Sequence, residues 1–423
     1  MPQTDANPEK GQRLTEPPKF HDSLLNDFKH HQANKEKFEK NLHTYYAKDI
    51  KIHPDSPYHE HGVVVHNRCR LENIARKRLP VPQMKDFERD IVAFEKQSHA
   101  QAMAPDKVAA FYDNVSRLLT EKSMHYTSKQ RTELALQLVH HSAKPESVVQ
   151  GAAGTCNVAS IEYRLLSRAP EAVAKMTADV ATNGNYVTAD GTKLSDNWHS
   201  IKPEAGDRER GTLDKLVQTT LVNCHWERVN RDDNDAPKFR FEHSNAEMAD
   251  RLAQYDSGRT EIEDRDRGLP ENSPKLNNTE FRDIYNQVVG SDDQATAPWT
   301  ISNGNPSQDP RYASRSSSDD TTIVNSKKDL REALQNGQQN HLFPMEIDVH
   351  TGNAPFKQQT LKADPFAGKD SFGWHAISIK SYDEKSGKVK IHNSWGADKD
   401  VPMSVDQLYT ATMLPPGERD SNE

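Results

Sequence analysis

The stretch Gln150-Gly151-Ala152-Ala153-Gly154-Thr155-Cys156 constrains this chain more than any other, because it sets a tight turn of small residues directly ahead of a helix. Two glycines and two alanines let the backbone pack closely before the cysteine, and Val158, Ile161, Leu165 and Leu166 then recur at helical spacing. Cys156 therefore falls at a helix N-terminus. There the free N–H groups and the macrodipole favour a thiolate, the reactive form of the side chain.

The far end of the chain supplies a base and a group to orient it. Gly373-Trp374-His375-Ala376-Ile377-Ser378-Ile379-Lys380-Ser381-Tyr382 alternates apolar and polar residues as a half-buried strand does, and Asp383 to Gly387 makes a turn. The return strand runs from Lys388 to Asn393 and leads into Ser394-Trp395-Gly396. His375 and Asn393 are thereby expected on paired antiparallel strands.

These residues resemble the papain-like cysteine peptidases, including their calpain relatives. That family uses a glutamine six residues before the cysteine, a histidine opening a strand, and an Asn-Ser-Trp-Gly signature after the return strand; Gln150, Cys156, His375, Asn393 and Trp395 match in order. The resemblance implies that the His375 imidazole takes the thiol proton and that the Asn393 side-chain carbonyl holds the ring. It implies an oxyanion hole of the Gln150 amide and the Cys156 backbone N–H, with Trp395 shielding the Asn393–His375 contact. The match departs where Ala153-Gly154-Thr155-Cys156-Asn157 stands in place of Cys-Gly-Ser-Cys-Trp. His375 also follows Cys156 by 219 positions (375 − 156), against about 130–150 in the papain group, so the chain reads as a divergent member with an insertion.

Taken singly, Cys156 reads more readily as a buried structural thiol and His375 as a satisfied strand histidine. Their joint order, each on the element type the chemistry requires, is what points to a site. The implied reaction is cleavage of peptide or amide bonds through an acyl-enzyme on Cys156. A deamidase or acyltransferase on the same fold is an alternative, and so is a catalytically silent papain-like module that binds a protein through its cleft.

Composition narrows the setting. With 55 basic and 63 acidic residues distributed throughout and a net charge of −8, no nucleic-acid footprint stands out. Cys69, Cys156 and Cys224 are odd in number and far apart, which suits a reducing compartment rather than a disulfide framework. Residues 1–8 have no apolar core of the signal-peptide kind and no stretch approaches a membrane span. The expectation is a cytoplasmic protein, signal-independent export aside, that acts on a protein or peptide substrate with no membrane partner and no cofactor.

Hydrophobic content of 34% and a mean hydropathy of −0.93 say that part of the chain lies outside a packed core. Residues 1–20, with Pro2, Pro8, Pro17 and Pro18, read as a disordered tail, and 21–145 as a mainly helical N-terminal region. Phe20 to Ile50 is expected to be helical. His59, His61 and His66 invite a metal reading, but their spacing fits no closed motif. Three helices are expected over 83–142. Pro105 fits a first helical position ahead of an apolar face from Val108 to Leu119, and Thr127 with Gln130 matches a capping box.

Residues 146–230 read as the helical half of the catalytic domain. Pro170 starts a second helix that Gly184 ends, Asp190-Gly191 turns a hairpin, and Leu213 to Val229 forms another helix whose Cys224, His225 and Trp226 read as core. Residues 231–325 are read as a polar insertion, partly disordered, with one helix over Phe281 to Val289 and loop over Ser291 to Thr322. Its acidic residues match no calcium loop. Residues 326–414 read as the β half, with Ser326 capping a helix, a strand from His341 to Val349 and a closing helix from Ser404, followed by a tail over 415–423. The fold expected is α+β, papain-like and two-lobed, with a helical lobe, an antiparallel β lobe and an N-terminal helical extension.

Overall fold

The computed structural model describes residues 53–151, 155–194, 210–232, 239–243, 258–262, 276, 278–290, 297–304, 321–363 and 372–415. The expected tails and the helix expected over Phe20 to Ile50 lie outside the described residues. The described chain is mixed α+β.

Local signals set the helices. Helix α1 spans Gly62–Arg76, α2 Val81–Ala100, α3 Pro105–Thr120 and α4 Ser128–Ala143. Pro105 does occupy the first turn of α3, whose Val108, Phe111, Tyr112, Val115, Leu118 and Leu119 are all buried. The Thr127 hydroxyl and the Gln130 side chain cap α4 reciprocally. Helix α5 spans Cys156–Arg168 and α6 Pro170–Asn183, with Gly184 left-handed at its C-cap (φ +83°). Strands β1 (Tyr186–Val187) and β2 (Lys193–Leu194) form the hairpin expected around Asp190-Gly191. Helix α7 is Thr212–Asp232; β3 (Phe239–His243) and β4 (Gly258–Ile262) pair antiparallel; and α8 is Asn278–Val289.

The remaining elements build one six-stranded sheet. They are β5 (Thr300–Asn303), β6 (Thr321–Val324), α9 (Lys327–Gln339), β7 (Met345–His350), α10 (Phe356–Ala363), β8 (Trp374–Asp383), β9 (Lys388–His392), β10 (Met403–Ser404) and α11 (Val405–Ala411). The strand order is β10-β9-β8-β7-β5-β6.

Two expectations are corrected here. The sheet is mixed, not antiparallel, because β5 runs parallel to both β6 and β7. The β half also begins earlier than residue 326: β5 and β6 lie inside the stretch read as a polar insertion. Trp299, Thr300 and Ile301 are fully buried there. Four residues with only two apolar neighbours carry no readable strand period, and the pairing that buries them comes from β7, more than 40 positions away.

Helix α5 lies against the sheet and packs on β8. Tyr163 stacks on His392, with ring centroids 4.4 Å apart and planes at 21°. The buried Arg164 guanidinium sits 4.3 Å from the Trp299 ring centroid and donates to the carbonyls of Leu342 (2.6 Å) and Pro344. Aromatic faces and carbonyl oxygens thus hold that charge, and desolvation lowers its pKa to about 9. One cluster of buried apolar side chains runs from Val64 and Leu71 of α1 through α3, α5 and α7 to Ile347, Ile377 and Ile391 of the sheet. Among the described residues, no helix is long and apolar enough to cross a membrane.

Candidate active site

Cys156 is the first residue of α5, as expected. The preceding Thr155 does not cap the helix, because its hydroxyl donates to Gln218 Oε1 at 2.7 Å. Asn157, where the papain family carries an aromatic, accepts the Val158 N–H on its own Oδ1 (2.8 Å) and so satisfies one of the free donors of the first turn. The Cys156 sulfur is half-buried against β8. The backbone N–H groups of Ala376, the residue after His375, and of Asn157 favour its thiolate electrostatically.

His375 is the second residue of β8 and is buried. Its Nε2 lies 2.8 Å from Asn393 Oδ1. Asn393, fully buried just past the end of β9, is pinned from both ends of its amide: Oδ1 accepts the Trp395 backbone N–H (3.1 Å), and Nδ2 donates to Gln359 Oε1 (3.0 Å) on α10. Gln359 in turn donates its own amide to the Lys399 carbonyl at 3.0 Å. A backbone N–H can only donate and a backbone carbonyl can only accept, so this chain of bonds fixes Asn393 Oδ1 as an acceptor. His375 Nε2 therefore carries the proton in that contact. The ring's basic lone pair is on Nδ1.

Trp395, expected to shield this contact, stacks on His375 with centroids 4.3 Å apart and planes at 22°. Gln150 is tied to the same strand end twice. Its N–H donates to the Ser394 carbonyl (2.8 Å), and its Oε1 accepts from Ser394 Oγ (2.6 Å). With the oxygen so engaged, Nε2 is the end of the amide turned elsewhere. Gln150, Ser394, Asn393, His375 and Trp395 thus lie along one strand end, joined by these contacts, and Cys156 stands on the helix that packs against the same strand, β8.

The electrostatics overturn one expectation. A helix N-terminus favours a thiolate, yet burial pushes the Cys156 thiol up to about 11, and Asp348 and Glu346 of β7 add to the rise against the two N–H donors. Desolvation likewise drives His375 down to about 4, opposed by its bond to Asn393. Both shifts favour the uncharged forms, a thiol at Cys156 and a neutral imidazole at His375. Glu346, buried without a hydrogen-bond partner for either carboxylate oxygen, is itself held well above the usual carboxylate range, first by desolvation and then by Asp348.

Ser394, Gln359, Asp348 and Glu346 were missed by sequence reasoning. Ser394 was legible within Asn-Ser-Trp-Gly, whereas Gln359 sits on a helix outside both motif blocks, and the two acids approach the sulfur only because β7 pairs with β8 in register Asp348↔Ala376. Cys224 and His225 are core residues, as expected: both are buried, and His225 packs edge-on to Trp226 at 4.7 Å. His59 bonds the Ser56 carbonyl at 2.8 Å in a loop before α1. No protein-family model matches the chain, and searches of curated proteins and of solved structures return no match.

Proposed function

We propose that this chain is a papain-like cysteine hydrolase of peptide or amide bonds, with a helical lobe carrying Cys156 and a sheet lobe carrying His375 and Asn393. The observation that supports it most is the forced tautomer of His375: a base whose lone pair is on Nδ1, on the strand against which the Cys156 helix packs.

In this reading the thiol is attacked by no base until substrate arrives. As the sulfur adds to the scissile carbonyl, His375 Nδ1 takes the thiol proton, and the imidazolium keeps its Nε2–H on Asn393. The oxyanion is held by the Cys156 backbone N–H and the Gln150 amide. Collapse expels the amine, which takes the proton from Nδ1, and leaves a thioester on Cys156. Water then adds to the thioester, giving one proton to Nδ1; the second collapse releases the acid, and the proton returns to sulfur.

The test is intact-protein mass after incubation with an epoxysuccinyl cysteine-protease inhibitor in reducing buffer, followed by a peptide-library digest. One adduct, absent from Cys156→Ala, together with cleaved peptides supports the hydrolase. A single adduct without cleavage moves the assignment to deamidase or acyltransferase chemistry. The raised thiol pKa is the observation that favours the silent binding module, and a folded protein that takes up no adduct decides for it.

A further inference from the structure

Behind the α5 helix, three buried side chains from three helices converge. His141 of α4, Glu162 of α5 and Asp214 of α7 each offer one ligand atom, and these atoms all lie within 4.8 Å of one another. All three residues are more than nine-tenths buried. His141 Nδ1, Glu162 Oε1 and Asp214 Oδ1 are each without a hydrogen-bond partner, although Nδ1 and Oδ1 stand 3.3 Å apart. We propose that His141, Glu162 and Asp214 form a binding site for one divalent cation of the zinc or manganese type.

The chemistry of the donor set fits such an ion. One imidazole nitrogen and two carboxylate oxygens suit a borderline divalent cation, which sits about 2.0–2.2 Å from each ligand. Ligand atoms around it are then at most about 4.4 Å apart, so a contraction of a few tenths of an ångström closes the site. The other ends of the carboxylates are already occupied: Glu162 Oε2 accepts from Gln218 Nε2 (2.8 Å), and Asp214 Oδ2 accepts the Gly211 N–H (3.2 Å). Each is oriented by that second bond, as ligating carboxylates are.

Two carboxylates facing each other in a low dielectric repel. A divalent ion satisfies all three orphaned atoms at once, where a single shared proton satisfies the two oxygens at most. The site also connects to the catalytic turn. Gln218, which holds Glu162, also donates to the Val149 carbonyl (3.1 Å) and accepts from the Thr155 hydroxyl, so the cation braces the backbone on both sides of 150–154.

The experiment uses Cys156→Ala protein, so that zinc held by a thiol at the other site does not count and the result is independent of hydrolase activity. The protein is stripped with chelator, dialysed against Zn2+, desalted and assayed for metal. About one equivalent is expected, falling below about a tenth in the near-isosteric Glu162→Gln and Asp214→Asn variants, with a melting midpoint raised by Zn2+ only where the site is intact. Should a variant fail to fold, the Co2+ absorption spectrum of the parent decides: nitrogen and oxygen ligation of a low-symmetry site supports the proposal. Less than about a tenth of an equivalent in the parent, or undiminished binding in both folded variants, overturns it in favour of a proton-sharing carboxyl pair.

Discussion

Replacing Asn393 by alanine tests the ring-orientation argument at its centre. The substitution removes three hydrogen bonds from a fully buried position: the acceptor of His375 Nε2–H (2.8 Å), the acceptor of the Trp395 N–H (3.1 Å) and the donor to Gln359 Oε1 (3.0 Å). Each orphaned buried group costs about 1–3 kcal/mol, and water entering the space left by the amide recovers part of it; about 3 kcal/mol of lost stability is the working figure. Under the proposed hydrolase reading, catalysis suffers separately. Without the carbonyl, the imidazole is free to place its proton on Nδ1 and to rotate, and forfeits about 1.4–2.8 kcal/mol of transition-state stabilisation, a 10- to 100-fold fall in kcat with KM nearly unchanged. Urea unfolding and steady-state kinetics on a cleaved peptide measure the two effects independently. Asn393→Asp serves as the control, because it keeps the acceptor while its charge raises the His375 pKa. A kcat within twofold of wild type in Asn393→Ala, alongside the expected loss of stability, would mean that Trp395 stacking alone orients the ring and that the tautomer argument fails.

Three further outcomes are expected. With the Cys156 thiol near 11, its alkylation by iodoacetamide should accelerate about tenfold per pH unit between pH 7 and 9; a rate flat over that range would reveal a preformed thiolate–imidazolium pair instead. His375 and His225 are both held at about 4, chiefly by desolvation, against an ordinary 6.5. The unfolded chain then binds more protons between pH 4 and 6.5, so the stability from these groups is complete above 6.5 and is lost as pH falls through that window. The pH dependence of the unfolding free energy from urea titrations over pH 5–6.5 should flatten in His225→Gln by up to about 1.4 kcal/mol per pH unit, and parallel curves for the two proteins would contradict the assignment. Finally, Gly337→Ala in α9 gains about 1 kcal/mol of helix propensity. Its new methyl meets the Met345 sulfur and lies 3.5 Å from Phe343, so overpacking of about 1–3 kcal/mol outweighs the gain, and a higher melting midpoint would refute the close packing.

What the sequence made legible was local. The Thr127–Gln130 box, Pro105 and Pro170 at helix starts, and Gly184 at a helix end state their structure within four residues, and each forms as read. The order of Gln150, Cys156, His375, Asn393 and Trp395 was likewise readable. Strand β5 was not, because its place is set by parallel partners distant in the chain rather than by its own short run. The rise in the Cys156 pKa was not legible for a related reason: the helix-terminus rule is local, whereas the burial and the acids of β7 that oppose it are created by the sheet. The convergence of His141, Glu162 and Asp214 leaves no motif, since three helices contribute one residue each.

The bonds between Gln150 and Ser394 join residues 244 positions apart. A ribosome makes the chain from its N-terminus, so Cys156 emerges well before the strand that bears His375, and Gln150 is fixed only when Ser394 arrives to hold it. Under the proposed hydrolase reading, the nascent chain carries a thiol with neither base nor oxyanion donor in place. Its activity is then withheld from the protein during its own synthesis by the order of its parts.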